Sequence, residues 1–261
     1  MDKFKAYKIT EVDKKASAAF VDFTLDELDP GEVVVRVAYS DVNVKDALAA
    51  TGKGRILLRP ECIGGIDLSG TVVSSTDSRF AKGDAVLATG FDLGVKHHGG
   101  YAEYARVPAD WLVRIPQGMS LFDAMAFGTA GFTAGLGIVR MEQNGLKPSN
   151  GPVIVNGATG GVGSVAIDAL SRLGYHVVAL TGKEAETGYL KKLGAKEVVL
   201  RQSLDLTKIR PLDRAQWAGA VDTLGGEVLA GMASGMKIGG QIAPIGRAAR
   251  PTPKPTVPHF T

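Results

Sequence analysis

Cysteine is almost absent from this chain of 261 residues, which contains one cysteine, Cys62, and four histidines. A single thiol excludes an internal disulfide bond and a zinc site built from cysteines. His97 and His98 are adjacent in the sequence, which does not suit chelation of one ion, so we expect no metal. We interpret Cys62 as a buried packing residue, with a nucleophile as the alternative, and the two histidines as part of a loop.

The chain also has little excess charge of either sign. Its formal net charge is +3, and its 45% hydrophobic and 22% charged residues are typical of a soluble globular protein. The small charge gives no indication of a nucleic-acid partner. We find no apolar run of membrane-spanning length and no signal peptide, and we therefore predict a cytoplasmic protein without a membrane partner.

Glycine, in contrast, is abundant, and one cluster of it follows a short β-branched run. Residues 152–156 predict a buried strand, Gly157, Gly160, Gly161 and Gly163 follow, and apolar residues at helical spacing come next. Strand, glycine turn and helix form the context of a dinucleotide-binding fingerprint, although the spacing is not strictly G-x-G-x-x-G. The turn would let main-chain N–H groups meet a pyrophosphate. A plain tight turn is the alternative.

The residues after the next predicted strand bear on the choice of cofactor. That strand ends at Leu180, and Thr181, Gly182 and Lys183 follow it, where an NADH-binding protein would carry an acidic residue. A hydroxyl group and a cation suit a 2′-phosphate, so the sequence favours NADPH over NADH. Glu184 is the nearest acid and favours the opposite choice, and a solvated loop lysine is the alternative for Lys183.

The pattern of strands differs between the two halves of the chain. In the first half, short strands separated by glycine predict an antiparallel, barrel-like β domain. The predicted strands are 4–10, 18–23, 32–39, 64–73, one within 80–90, and 98–107, and a short helix is predicted within 40–49. Ser120 would cap a helix to residue 127, and a second helical stretch begins at about Thr129. From residue 152, alternation predicts a doubly wound parallel sheet, with strands 152–156, 176–180, 197–200, 217–222 and 239–245 and helices 162–173, 185–193 and 226–236.

Several motifs in a fixed order then point to a known family. They are Ser40-x-x-Asn43-x-Lys45-Asp46, Gly64 to Gly70 with Asp67, Gly99 to Glu103, Gly128 to Ala134 and Gly160 to Gly163. This order resembles the medium-chain dehydrogenase/reductase superfamily, and within it the zinc-free quinone-oxidoreductase-like branch, closest to the acryloyl-CoA reductase group. The resemblance covers about residues 4–246.

The resemblance implies an α/β fold with two domains. Residues 1–125 would form a GroES-like β-barrel catalytic domain, and residues 126–246 an NADP-binding Rossmann domain whose parallel sheet is incomplete, with about five strands. The strand order would place the fifth strand at an edge, as in a C-terminally truncated member. Relatives are homodimers, which the truncation argues against here. Residues 247–261 are rich in proline, and we expect a disordered tail.

The activity that the resemblance implies is NADPH-dependent reduction of an activated C=C bond, with acryloyl-CoA to propanoyl-CoA as the leading reaction. A quinone or enone substrate is one alternative, and a truncated, non-catalytic nucleotide-binding relative is the other.

The resemblance also implies the site residues. Asn43 and Tyr101 are the catalytic candidates, with a bound water as the alternative proton donor, and no metal ligand is expected. The cofactor-binding candidates are Val44, Thr129, Gly160, Gly161, Val162, Gly163, Thr181, Gly182, Lys183, Arg201, Thr223, Ile245 and Gly246. Relatives tend to carry Tyr where this chain has Val44, so a hydroxyl group at that position is lost.

Overall fold

The computed structural model describes residues 3–13, 15–203 and 215–246. The chain divides into two compact units, Met1–Thr129 and Ala130–Thr261. The domain boundary predicted after residue 125 stays a prediction, and the proline-rich tail lies outside the described residues.

The N-terminal unit consists mainly of two antiparallel sheets, together with helix α1 (Val44–Thr51). The first sheet has the order β2-β1-β4, with β1 at Phe4–Val12, β2 at Lys15–Phe23 and β4 at Glu61–Ile63. The second has the order β7-β3-β5-β6-β8, with β3 at Val33–Tyr39, β5 at Asp67–Ser75, β6 at Ala85–Thr89, β7 at Tyr104–Val107 and β8 at Val113–Arg114. The predicted antiparallel β unit is therefore confirmed, and the two short strands β4 and β8 are additions to it.

Two predicted strands of this unit are too long at their N-terminal ends. Strand β7 begins at Tyr104 instead of 98, and β5 begins at Asp67 instead of 64. The glycine-rich segments that precede the two strands bond to each other, because Tyr101 N donates to Gly64 O at 2.9 Å and Gly100 N to Gly65 O at 2.9 Å. Gly65 has a φ of +93°, which a regular strand does not adopt.

The C-terminal unit contains a parallel sheet with the order β11-β10-β9-β12-β13. Its strands are β9 at Val153–Asn156, β10 at Val177–Thr181, β11 at Glu197–Leu200, β12 at Trp217–Asp222 and β13 at Met236–Pro244. In the described part of the chain the fifth strand lies at an edge, as the resemblance implied. Helices α3 (Gly161–Arg172), α4 (Thr187–Lys192) and α5 (Gly226–Ser234) connect the strands, and a turn of 3-10 helix at Glu184–Glu186 precedes α4.

Both faces of this sheet are buried. Val153 and Val155 of β9 pack in one apolar cluster with α3, whereas Ile154 between them packs in a second cluster with α5. Neighbouring residues of a strand point to opposite faces, so a strand buried on both sides is a continuous apolar run. This explains why the run at 152–156 predicts the central strand correctly.

The prediction for the last helix and strand is wrong by a few residues. Helix α5 ends at Ser234 instead of 236, and β13 begins at Met236 instead of 239. Gly235 terminates the helix, and the ladder between β12 and β13 shifts register between Trp217 and Gly219. The irregular ladder lets the first part of β13 pair although glycines interrupt it.

Helix α2 (Leu121–Gln143) contains the two helical stretches that the sequence predicts and is bent at Gly128, which has φ 47° and ψ −153°. Ser120 caps it as predicted, because Asp123 N donates to Ser120 Oγ at 3.0 Å. By length and a mean hydropathy of 1.3, this helix would be able to cross a membrane, so the expectation of no such run is wrong. Its residues Ala134, Ile138 and Met141 pack in the core of the C-terminal unit.

Candidate active site

The predicted cofactor residues of the C-terminal unit follow the carboxyl ends of its parallel strands. Parallel strands end at one edge of a sheet, where open α/β sheets bind their ligands. The structure therefore brings together, along this edge, residues that are far apart in the sequence: Gly160 to Gly163 after β9, Thr181 to Lys183 at β10, Arg201 after β11, Thr223 after β12, and Ile245 and Gly246 after β13.

The turn from β9 into α3 requires glycine at two positions. Gly157 has a φ of +55°, and a Cβ atom there would collide with the hydroxyl oxygen of Thr223. A Cβ atom at Gly163 would collide with the carbonyl oxygen of Gly157. The turn is closed by a hydrogen bond of 2.8 Å from Gly160 N to Gly157 O. The chain therefore passes from strand to helix with main chain packed directly on main chain.

The start of α3 fits a phosphate group. Gly160 is the N-cap residue, and Gly161, Val162 and Gly163 form the first turn. The first N–H groups of a helix have no acceptor within the helix, and the helix dipole adds a partial positive charge there. Two of these three residues are glycines, so few side-chain atoms lie beside the main-chain N–H groups of this turn.

Two buried polar residues that the sequence analysis missed hold the ends of β9 and β12 together. Asn156 and Asp222 are fully buried, and Asn156 Nδ2 donates a hydrogen bond to Asp222. Asn156 Oδ1 accepts from Thr223 N at 2.7 Å, and the main-chain oxygen of Asp222 accepts from Ile245 N at 2.8 Å. This pair positions Thr223 and Ile245 at the sheet edge. The sequence contains a signal for this pair, because Asn156 and Asp222 are polar residues at the ends of otherwise apolar strands.

Two cations lie beyond the end of β10. Thr181 is buried, and its Oγ1 accepts from Lys183 N at 3.0 Å, which tightens the turn. The guanidinium group of Arg201 lies across Gly182, where an added Cβ atom would be 3.3 Å from Arg201 Nη2. Neither Lys183 nor Arg201 forms an ion pair with a carboxylate of the described residues. The positive charge at this end of the sheet is therefore available to an anion.

In the N-terminal unit, the predicted residue Asn43 lies among carboxyl groups. It is the N-cap residue of α1, and its main-chain N donates to Asp46 Oδ2 at 2.9 Å. Its side-chain Nδ2 donates to Asp41 Oδ1 at 2.7 Å and to Asp67 Oδ2 at 2.9 Å. Asp46 also accepts from Ile66 N at 3.0 Å. The sequence motifs contained these acids, but their proximity to Asn43 was not predicted.

The predicted residue Thr129 contacts the same carboxylate. Thr129 N donates to Asp67 Oδ2 at 2.8 Å, and Thr129 Oγ1 donates to Asp67 Oδ1 at 2.6 Å. The bend at Gly128 directs both groups toward Asp67, and a Cβ atom at Gly128 would collide with the carboxyl group of Asp41. Asn43 and Thr129 therefore belong to one hydrogen-bond network centred on Asp67.

Burial and like charge shift the pKa values of this network. Burial, a hydrogen bond with Asp67 and the charges of Asp67 and Asp46 raise the pKa of Asp41 to about 8. Burial raises the pKa of Asp46, and burial together with the nearby acids raises the pKa of Tyr101. The Tyr101 hydroxyl donates to the main-chain oxygen of Asp41 at 2.9 Å. Asp41 and Tyr101 are therefore both protonated at neutral pH.

The remaining residues singled out from the sequence lie apart from this network. Val44 is at the first position of α1, and its side chain is exposed. Cys62 is fully buried, as predicted, and burial raises the pKa of its thiol to about 12. His98 is also buried and accepts from Ile63 N at 3.1 Å, and burial lowers its pKa. No group of three His, Cys, Asp or Glu residues in the described ranges is arranged to hold a metal ion.

Residues 29–117 match the family model of the alcohol dehydrogenase GroES-like domain. The chain is 50% identical over 221 residues to the putative quinone oxidoreductase YhfP of Bacillus subtilis, covering 85% of this chain and 67% of YhfP. It is 48% identical over 239 residues to the probable acrylyl-CoA reductase AcuI of Escherichia coli, covering 91% of this chain and 73% of AcuI. The chain belongs to the medium-chain dehydrogenase/reductase superfamily.

Solved structures of this superfamily agree with the fold. Escherichia coli YhdH with bound NADPH superposes with a TM-score of 0.90 at 44% identity, over 97% of this chain and 78% of YhdH. Bacillus subtilis YhfP with bound NAD superposes with a TM-score of 0.92 at 45% identity, over 99% of this chain and 79% of YhfP. The predicted family and fold class are confirmed, and dinucleotide cofactors are bound by these members of the superfamily.

The raised pKa of Asp41 makes a prediction for stability. When the pKa of a carboxyl group is higher in the folded than in the unfolded chain, folding takes up a proton at pH values between the two pKa values. Such a group therefore adds to the free energy of unfolding at low pH. For Asp41 this contribution falls as the pH rises from about 4 to about 8. The variant Asp41→Asn cannot ionise and should lack this fall. Urea denaturation of both proteins at several pH values gives the difference between them.

Subtracting the two curves removes the effects of other carboxylates. Asp77 is one example, because its hydrogen bonds with Arg79 lower its pKa. The variant Asp26→Asn, at an exposed site, is the matched control and should follow the wild-type curve. A constant difference between wild type and Asp41→Asn from acid to alkaline pH would contradict the assignment.

Proposed function

We propose that this chain binds NADPH at the strand ends of its C-terminal unit and uses it to reduce the activated C=C bond of a CoA thioester. The observation that supports this most strongly is the glycine turn after β9, where side chains at Gly157 and Gly163 would collide with neighbouring atoms. A turn of this kind exposes main-chain donors to a pyrophosphate. The residues present therefore fit the cofactor.

The residues proposed to hold the cofactor have distinct roles. Main-chain N–H groups of Gly161, Val162 and Gly163, after Gly160, would bind the pyrophosphate. Thr181, Gly182, Lys183 and Arg201 would surround the adenosine 2′-phosphate. Thr223, Ile245 and Gly246 would lie near the nicotinamide, where Ile245 N and Gly246 N are already held by the main-chain oxygen of Asp222. Val44 and Thr129 remain cofactor residues by resemblance.

The preference for NADPH over NADH rests on Lys183 and Arg201. Both side chains are exposed cations without a carboxylate partner in the described ranges, and a 2′-phosphate is the anion that distinguishes the two cofactors. Glu184 is close in sequence, and YhfP of Bacillus subtilis was crystallised with NAD. The preference is therefore a proposal that the two cations support and that a binding measurement decides.

We expect Arg201→Ala to weaken NADPH binding by roughly ten- to a hundredfold, because hydrogen bonds to a charged group contribute about 1.5–3 kcal/mol. NADH binding should be almost unchanged, since NADH has no 2′-phosphate. Fluorescence titration with both cofactors measures the two affinities. Lys191→Ala, which removes an exposed cation from α4, is the control. Equal weakening for both cofactors, or tighter NADH binding by the wild type, would contradict the proposal.

The proposed reaction takes a CoA thioester because AcuI of Escherichia coli, a probable acrylyl-CoA reductase, is 48% identical to this chain. When bound, the nicotinamide would supply the hydride for the β-carbon of the substrate, and a proton would be added at the α-carbon. The chain's own residues would orient the substrate and position the group that donates the proton. Tyr101, which is protonated at neutral pH, and Asn43 stay catalytic candidates by resemblance. A cytoplasmic location is part of the same proposal.

A quinone or simple enone is the second candidate substrate, because the putative quinone oxidoreductase YhfP is 50% identical. Nothing in the geometry of the described residues distinguishes an enoyl thioester from an enone. A chain that binds nucleotide without turnover is the third candidate, and the lost hydroxyl group at Val44 is the observation in its favour.

The oxidation of NADPH, followed by absorbance with acryloyl-CoA, 1,4-benzoquinone and a simple enone, separates these candidates. We expect kcat/KM to be highest for acryloyl-CoA. A higher value for benzoquinone would identify a quinone reductase. Binding of NADPH without oxidation by any of the three substrates would contradict the proposal of an active reductase.

A further inference from the structure

We propose that Asp67 is the positioning residue of the N-terminal unit. Its carboxylate holds Thr129 and, together with the carboxyl group of Asp41, accepts both amide hydrogens of Asn43, so Asn43 has no amide hydrogen left to donate to a substrate. The kinetic part of this inference rests on the function proposed above.

The first argument is the number of donors on one carboxylate. Asp67 is fully buried, and three hydrogen bonds reach its side chain, at 2.6 and 2.8 Å from Thr129 and 2.9 Å from Asn43. Its main-chain oxygen also accepts from Ser40 Oγ at 2.6 Å. A buried carboxylate is stable only with such donors, and in turn it fixes the groups that supply them.

The second argument is the orientation of the Asn43 amide. Its two hydrogens point to Asp41 Oδ1 at 2.7 Å and Asp67 Oδ2 at 2.9 Å, so both are used. The opposite orientation would place the amide oxygen against two carboxyl oxygens, which repel it. The network therefore selects one orientation. In this orientation the amide nitrogen cannot polarise the carbonyl group of a substrate.

The third argument is the charge balance of the network. Asp41, Asp46 and Asp67 lie close together, and no Lys or Arg of the described residues forms an ion pair with any of them. Asp41 and Asp67 accept from the same amide group, and two carboxyl groups this close do not both ionise readily, so a proton on Asp41 takes the place of a cation. The charges of Asp67 and Asp46 raise the pKa of Asp41, whereas the hydrogen bond from Asn43 lowers it. The Tyr101 hydroxyl also faces this group and donates to the main-chain oxygen of Asp41.

The pH dependence of the reaction follows from this arrangement. Above about pH 8, Asp41 loses its proton and two adjacent carboxylates repel each other. This repulsion would displace Asn43 and Thr129, which Asp67 holds. We expect kcat to fall there. KM for NADPH should change by no more than about threefold, because Val44 and Thr129 are the only proposed cofactor residues in the N-terminal unit and the others follow the strands of the C-terminal unit.

Three variants of the full chain test the inference: Asp67→Asn, Asp41→Asn and the exposed control Asp26→Asn. In Asp67→Asn, an amide N–H faces the donors of Thr129 or Asn43, and kcat should fall at least about tenfold with KM for NADPH within about threefold. Asp41→Asn mimics the protonated acid, so its kcat should change by less than about tenfold at neutral pH and should not fall above pH 8. The control should match the wild type.

Two results would overturn the inference: an Asp67→Asn enzyme with the kcat of the control, or an Asp41→Asn enzyme that still loses kcat above pH 8. If Asp67 had only a structural role, Asp67→Asn would yield less folded protein. Asp41→Asn would then show the same dependence of kcat on pH as the wild type. If Asp67→Asn does not fold, the pH profile of Asp41→Asn decides.

A readout that does not need turnover separates this inference from the proposed function. The side-chain amide signals of Asn43 in NMR spectra should be protected from exchange. They should shift with a midpoint near pH 8 in the wild type and show no such shift in Asp41→Asn. Rapidly exchanging signals without this midpoint would overturn the inference even in an active enzyme. A wild type that shows the shift but reduces no substrate would contradict the proposed function alone.

Discussion

The contact between Gly163 and the carbonyl oxygen of Gly157 is the constraint on which the C-terminal unit depends. It lets α3 begin directly at the end of β9, and any side chain at either position would collide with a neighbour. The helix then presents its first N–H groups at the edge where the other strands also end. The cofactor proposal is a consequence of this geometry, because an exposed helix start is the part of a protein that binds a pyrophosphate without needing a charged side chain.

The N-terminal unit is organised by a different interaction, the burial of carboxyl groups. An isolated buried carboxylate is unstable, and the usual remedies are a metal ion, a cation or several hydrogen-bond donors. Asp67 has donors from Asn43 and Thr129, and Asp41 keeps its proton. The bend of α2 at Gly128 belongs to the same arrangement, because it turns Thr129 toward Asp67 and leaves room for Asp41.

The sequence predicts the parallel sheet well for a local reason. Runs 197–200 and 217–222 are short and mostly apolar, and their strands have the predicted limits. The segment 98–103 was wrongly predicted as strand, because its partner is the glycine pair at 64–65, which is remote in sequence. The burial of Asn156 and Asp222 and the position of the half-buried Asp41 beside Asn43 are likewise properties of the folded chain, so these residues did not stand out among the site residues.

The most direct test of this account is a crystal structure of the chain with NADPH. We predict that the pyrophosphate oxygens lie within hydrogen-bond distance of the main-chain nitrogens of Gly161 to Gly163, with the 2′-phosphate at Lys183 and Arg201. A pyrophosphate bound elsewhere on the chain, or a turn after β9 that remains empty at saturating NADPH, would contradict it.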